Sequence, residues 1–281
     1  MPAQVRYLTD PACPDSWAAE PLIRRLVWEF GESLSFTWVM GGLARDYTSR
    51  RGTFDWLLGH WLEVASETGM PIDPLLWKEA PIKSTYPACM AVKAAQEQAD
   101  DGGYRYLREL REGLLCFRRK LDTTEALVEE ARGAGLDAER FRIDLASHAT
   151  VEDFGADLEL TRTIPDEARA RDGVTKARGI ERLVFPSACF EGEAGAREWV
   201  FGSRPYEAWR DAALAAGATP SGERPPDALD AVRRFGRMAQ AEVEAVCDLP
   251  GPRAAAELWR LAADWRLRPV KVLAGWLFEP A

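Results

Sequence analysis

The sequence predicts an α/β domain interrupted by a helical insertion and followed by a C-terminal helical extension. Three observations carry this reading. A strand-helix-strand unit fills the first forty or so residues, and a long middle section then shows only helical periodicity. β character returns as two short apolar runs around a turn, ahead of a Pro/Gly-rich stretch and further helices. The expected boundaries are 1–51 and 176–218 for the two parts of the α/β domain, 52–175 for the insertion, and 219–281 for a linker and the extension.

In the first unit, "VRYLT" reads as a strand with Val5 and Tyr7 on one face, and "PACP" breaks it. From Ser16 the apolar positions Trp17, Leu22, Ile23, Leu26, Val27 and Phe30 recur at helical intervals, and Gly31 stops them. "LSFTWVM" is a second strand, closed by Gly41 and Gly42. Between Gly52 and Thr175, segments such as "FDWLLGHWLEVASETG", "PACMAVKAAQEQADD" and "YRYLRELREGLLCFRRKL" each carry an apolar stripe, too many helices for one crossover. "RLVFPSACFEG" and "EWVFG" then predict a hairpin, and "PYEAWRDAALAAG" a helix. "ATPSGERPPDA" reads as a linker, and beyond it "LDAVRRFGRMAQAEVEAV" and "PRAAAELWRLAADWRL" read as amphipathic helices before the apolar "PVKVLAGWLF".

The 281 residues carry 36 Lys and Arg against 45 Asp and Glu, a net charge of −9, which argues against a general nucleic-acid-binding surface. The N-terminus lacks the basic start and apolar core of a secretion signal, and no apolar run is long enough to span a membrane, so a cytoplasmic location is expected. Five scattered cysteines, Cys13, Cys89, Cys116, Cys189 and Cys247, form no CxxC pair and suit reduced thiols better than a disulfide framework. Neither His60 nor His148 stands near a cysteine, so no metal site is expected; each reads as a helix-face or cap residue.

Cys13 falls at the corner between the first strand and its helix. A thiol there meets unsatisfied backbone N–H groups and the positive end of the helix dipole, which favour the thiolate. On that ground Cys13 is expected to be the most nucleophilic of the five. Pro14 presets the first helical turn, and Ser16 is placed to hydrogen-bond the sulfur, whereas the charge of Asp15 raises the thiol pKa. A small buried cysteine ahead of an ordinary cap is the competing reading, and local spacing leaves both open. Cys116 and Cys247 read as packing residues, while Cys89 and Cys189 each follow a Pro-containing turn.

Four stretches stand in order along the chain: "DPACPDSWAAEP", "STYPACMAVKAAQ", "GLDAERFRIDL" and "GIERLVFPSACFEG" followed by "WVFGSRPYEAW". Together they resemble the DsbA family of the thioredoxin superfamily, in particular its cytosolic FrnE-like and YjbH-like branch. The resemblance implies a thioredoxin-like fold with an inserted helical domain. It also implies that Phe185-Pro186 forms the cis-proline loop that sits against the active cysteine and binds substrate backbone. The chain departs from the redox-active pattern where Ser16 replaces the second cysteine, which removes the thiol that would resolve a mixed disulfide.

The resemblance implies, first, a monothiol oxidoreductase or isomerase with Cys13 and Ser16 as catalytic residues and a peptide or protein thiol as substrate. Pro14, Trp17, Met40, Tyr86, Pro87, Phe185 and Pro186 are the candidate substrate-binding residues. A second reading is a YjbH-like adaptor for a client protein, which would use the aromatic tail around Trp259, Leu261, Trp265, Trp276, Leu277 and Phe278 as a partner site or homodimer face. A third is an enzyme with no bound cofactor that uses glutathione as co-substrate in an inter-domain cleft, its anion received by Arg45, Arg50 and Arg51.

Overall fold

A computed structural model describes residues 2–48, 52–98, 102–177, 179–193 and 195–281. Strand β1 (Ala3–Thr9) leads into a short helix α1 (Pro14–Ala18), and α2 (Glu20–Phe30) follows after one residue. A single helix from Ser16 to Phe30 was expected; it divides at Ala19 because Pro21 has no N–H to continue the ladder. Gly31, at φ 51°, ends α2 and turns the chain into β2 (Leu34–Met40).

The insertion follows as α3 (Thr53–Thr68), α4 (Leu76–Glu79), α5 (Tyr86–Gln96), α6 (Gly102–Arg111) with a π-helical turn over Glu112–Cys116, α7 (Thr124–Gly133), α8 (Ala138–Leu145), α9 (His148–Arg162) and α10 (Asp166–Ala170). Side chains of Thr123, Asp137 and Ser147 accept backbone N–H groups at the starts of α7, α8 and α9, so these boundaries are written locally. The chain returns through a hairpin of β3 (Val174–Ala177) and β4 (Ile180–Leu183), then β5 (Ser187–Glu191), β6 (Arg197–Phe201) and α11 (Tyr206–Ala215).

The main sheet has the order β2-β1-β5-β6, with β1 parallel to β2 and antiparallel to β5, and β5 antiparallel to β6. Val5 pairs with Phe36 on one side and Phe190 on the other, and Tyr7 with Trp38 and Ala188. Val5 and Tyr7 are fully buried, and the Tyr7 ring meets Trp38 edge-on at 5.5 Å. Strand β1 is therefore an inner strand, and its C-terminal end delivers Cys13 to the end of the sheet where β2 finishes and β5 begins.

The C-terminal extension is helical, with α12 (Ala228–Phe235), α13 (Gln240–Cys247) and α14 (Gly251–Ala263), but it also contains a sheet that the periodicity did not reveal. Gly236, at φ 74°, breaks the expected long helix, and β7 (Met238–Ala239) intervenes. "PVKVLAGWLF" is a hairpin of β8 (Leu267–Val272) and β9 (Gly275–Pro280), giving the order β7-β9-β8. The segment read as a linker lies against α2: Ser221 N–H donates to Glu29 O at 2.7 Å and Trp28 Nε1 to Arg224 O at 3.2 Å.

A buried ionic network joins the three parts. Glu20 of α2 accepts from Arg111 and, at 3.3 Å, from Arg108, both on α6; Arg108 Nη1 also reaches Glu242 of α13 at 2.7 Å and its Nε reaches Glu112 at 2.7 Å. Arg24 Nη1 lies 3.1 Å from Glu242, and Arg237 bridges Glu112 and Glu279. Glu20, Glu112 and Glu242 are buried, as are Arg24, Arg108 and Arg111. Each charge has its counter-charge, the condition under which burying ions is tolerable.

Candidate functional site

The corner that holds Cys13 is built by Asp10. Its carboxylate is fully buried and takes the N–H of Ala12 at 2.9 Å, the N–H of Leu43 at 2.7 Å, the Thr85 hydroxyl at 2.8 Å and the Cys89 thiol at 3.3 Å. One residue thus ties the end of β1 to the loop after β2 and to the start of α5. Burial pushes its carboxyl up, and these donors pull it back. Cys89, which sequence alone left unassigned, is a buried donor to this carboxylate, and burial and Asp10 hold its thiol protonated.

Cys13 caps α1. Its Sγ accepts the N–H of Ser16 at 3.4 Å and lies 4.0 Å from the carbonyl oxygen of Phe185. The side chain is only 3 % exposed. Burial, together with the charges of Asp15 and Asp10, pushes its thiol up to about 12 against the opposing contacts from Ser16. Desolvation of the sulfur thus opposes the helix cap that favours the thiolate.

The Phe185–Pro186 peptide is cis and stands beside the sulfur. Gly41 makes room for it, since a Cβ there would fall 1.8 Å from Phe185 Cζ. Cys13, Pro14 and Phe185 line one groove of about 330 Å³ together with Leu43, Tyr47, Arg182, Val184 and, from α3, Trp56, Leu57, His60 and Trp61.

Not all the predicted groove residues meet there. Trp17 is fully buried, its Nε1–H donating to Pro71 O at 3.1 Å and its ring covered by the Arg108 guanidinium at 4.2 Å. Met40 is also fully buried, its N–H bonded to Asp157 Oδ2 at 2.8 Å. Both are core residues, because the strand end and helix face that carry them turn inward. Tyr86 lines an adjoining cavity, while Pro87, half-buried in the first turn of α5, lines neither. Ser16 is buried and touches the site through its N–H, and the Pro186 carbonyl accepts the N–H of Gly202 at 2.8 Å. Of the arginine loop, Arg45 lines the cavity beside Tyr86, and Arg50 and Arg51 lie outside the described residues.

The wall contributed by α3 was missed. Trp56 is 64 % exposed and stacks on His60 at 5.2 Å, and His60 Nε2 lies 3.2 Å from Asp15 Oδ2. The signal was available as Trp56 and His60 at i, i+4 on one helix face, but nothing local tied that face to Asp15. The hydrogen bond to Asp15 raises the His60 pKa above 6.5 despite partial burial. The pair accordingly stabilises the fold below about pH 6.5, and this contribution disappears as pH rises through the higher folded value. An NMR titration is expected to find His60 above 6.5 in the wild type and shifted back toward it in Asp15→Asn.

The family model described as Thioredoxin matches residues 7–165, more than half of the chain. The chain belongs to the thioredoxin family. Among curated relatives, the ClpXP adapter protein SpxH of Halalkalibacterium halodurans is 32% identical over 57% of this chain and 55% of its own length. SpxH of Bacillus licheniformis is 24% identical over 98% of this chain and 87% of its own length. The matched segment thus spans about half the length of the first relative.

Solved structures share the fold of this thioredoxin-family chain. A Nitrosomonas europaea protein described as a disulfide isomerase superposes with a TM-score of 0.62 at 21% identity, covering 76% of this chain and 97% of that one. The cytosolic disulfide reductase DsbM of Pseudomonas aeruginosa gives 0.53 at 22%, covering 70% and 88%. The fold is thioredoxin-like, with neighbours among DsbA-type proteins. No helix among the described residues is long and apolar enough to cross a membrane.

Proposed function

We propose that this chain is a protein-binding adaptor that presents client proteins to a ClpXP-type protease, using the thioredoxin-like groove as a recognition surface and not as a redox centre. The observation that carries this reading is the setting of Cys13: it is buried, which disfavours the thiolate, and Ser16 stands where a resolving thiol would. The groove beside it is open and carries the exposed Trp56 ring, a rigid aromatic anchor of the kind that dominates protein interfaces. The naming of the relatives as ClpXP adapters, one of them aligned across nearly the whole chain, supports the same assignment.

The test is proteome-wide protein half-lives in the source organism with the gene deleted. Under this reading a defined set of proteins becomes long-lived, the same set is long-lived when the ClpX subunit is removed, and Cys13→Ala restores normal turnover. Failure of a well-folded Cys13→Ala protein to restore turnover would return the function to monothiol exchange.

A further inference from the structure

A second cavity, of about 380 Å³, adjoins the Cys13 groove, and the two share Leu43 and Arg182 in their walls. It is lined by the loop from Gly41 to Arg45 together with Tyr86, Arg162, Ile180 and Arg182. Three of these are arginines from separate parts of the chain: the loop after β2, the last residue of α9, and β4. Among the described residues no Asp or Glu lines the cavity, although acids outnumber bases 45 to 36 in the chain. Other arginines at junctions are ion-paired, as the network around Glu20 illustrates, whereas Arg45, Arg162 and Arg182 have no ion pair among the described residues.

Arg182 is the most telling of the three. Its Nη1 donates to Leu183 O at 3.3 Å and its plane covers the Phe185 ring at 4.3 Å, yet its Nε is buried without a hydrogen-bond partner. An unused buried N–H on an unpaired cation is costly unless a ligand completes it. The loop opposite is already fixed. Gly41 N–H bonds Thr9 O at 2.6 Å, Leu43 N–H bonds Asp10, and Ala44 N–H bonds the Thr85 hydroxyl at 3.3 Å. With those amides directed inward, the guanidinium groups supply the recognition, and their planar forks match carboxylate or phosphate oxygens.

We propose that this cavity binds a small organic dianion, a dicarboxylate or a phosphomonoester, held by Arg45, Arg162 and Arg182 with its carbon body against Tyr86, Leu43 and Ile180. The volume lies within the roughly 300–1,000 Å³ range of small-molecule sites.

Calorimetric titration of the full chain with phthalate and with phenyl phosphate tests this and separates the two oxyanion types; benzoate and inorganic phosphate serve as controls for charge and carbon body. The expected result is saturable binding of at least one dianion, weaker binding of benzoate, and a loss of about tenfold or more in affinity in each of Arg45→Gln and Arg162→Gln. Both side chains are exposed, so the melting temperature of the unliganded variants should match wild type. No saturable binding of either dianion up to about 10 mM would overturn the proposal. Equal affinity in both variants, or binding of an acidic peptide without binding of either small dianion, would overturn it as well.

Discussion

Glu20→Gln is expected to lose roughly 3–5 kcal/mol of folding stability, the cost of removing one partner from a buried ionic cluster. Glu20 has no solvent exposure and receives Arg111 and Arg108 from α6 and the Tyr104 hydroxyl at 2.8 Å, with Arg24 at 3.9 Å. Burial alone would push its carboxyl up, but Arg111, Arg108 and Arg24 together hold it below its ordinary value of 4.5. The amide keeps the shape and removes the charge, so buried Arg111 loses its carboxylate partner, while Arg108 and Arg24 are left to share Glu242 and Glu112. Because the folded pKa is depressed, the stabilisation is complete above about pH 4.5 and fades as pH falls toward the lower folded value. Urea unfolding at pH 7 should therefore show a large drop in midpoint with an unchanged slope, and the variant should lose that part of the acid dependence. An unfolding free energy within about 0.5 kcal/mol of wild type would mean that the network contributes little.

Deleting residues 219–281 is expected to remove most of the stability of the remaining chain, because the extension supplies interior that the other domains do not replace. Ala239, Val272 and Leu277 belong to the main hydrophobic core, and Glu242 is the counter-charge for both Arg24 and Arg108. Its second oxygen also accepts the N–H of Ala239 at 2.6 Å, closing a cap at the start of α13. Carbonyls of Phe235 and Arg237, exposed by the break at Gly236, accept from Arg24 at 3.2 and 3.0 Å. Truncation would leave buried Arg24 with only the distant Glu20, take one carboxylate from Arg108, and open an apolar face along α2. With domain stabilities of about 5–15 kcal/mol, losses of this kind consume the margin. Circular dichroism and urea titration of the 1–218 fragment should show a broad, weakly cooperative transition; a sharp transition at the wild-type midpoint would make the extension a separable appendage.

Much of the fold was legible because the signals were local. Alternation in "VRYLT" and the stops at Gly31 and at Gly41-Gly42 each act within a few residues. The extension was harder: two turns of good helical periodicity on either side of Gly236 hid a glycine at φ 74°, and "PVKVLAGWLF" is too short to separate strand from helix by period.

The site was partly legible for the same reason. Cys13 and Phe185 were found from their motifs, but Trp17 and Met40 were assigned to the groove without knowing which way their elements face. Glu20 stood in the quoted motif as an unremarked residue, since its partners are 88 and 91 positions away. His60 acquired a partner only through the packing of α3 against α1. The burial of the thiol itself was not legible. Sequence places it at a helix start, which favours the thiolate, while its 3 % exposure is a property of the whole fold and pushes the thiol the other way.

Of the exposed tail aromatics, Trp259 and Trp276 meet edge-on at 5.2 Å and remain 44 % and 38 % exposed, and Trp265 is 88 % exposed. Leu261 and Phe278 are buried in the core of the extension, and Leu277 is buried in the main core. The tail therefore combines a structural interior with an aromatic surface.

The most direct measurement of the central claim is the rate of Cys13 alkylation in the folded chain as a function of pH, with Cys13→Ala as the blank. The predicted result is a rate at pH 7 no greater than the blank, rising only as the solution approaches the folded value of about 12. A thiolate that titrates below the free-cysteine value of about 8.5 would contradict it and make Cys13 a working nucleophile.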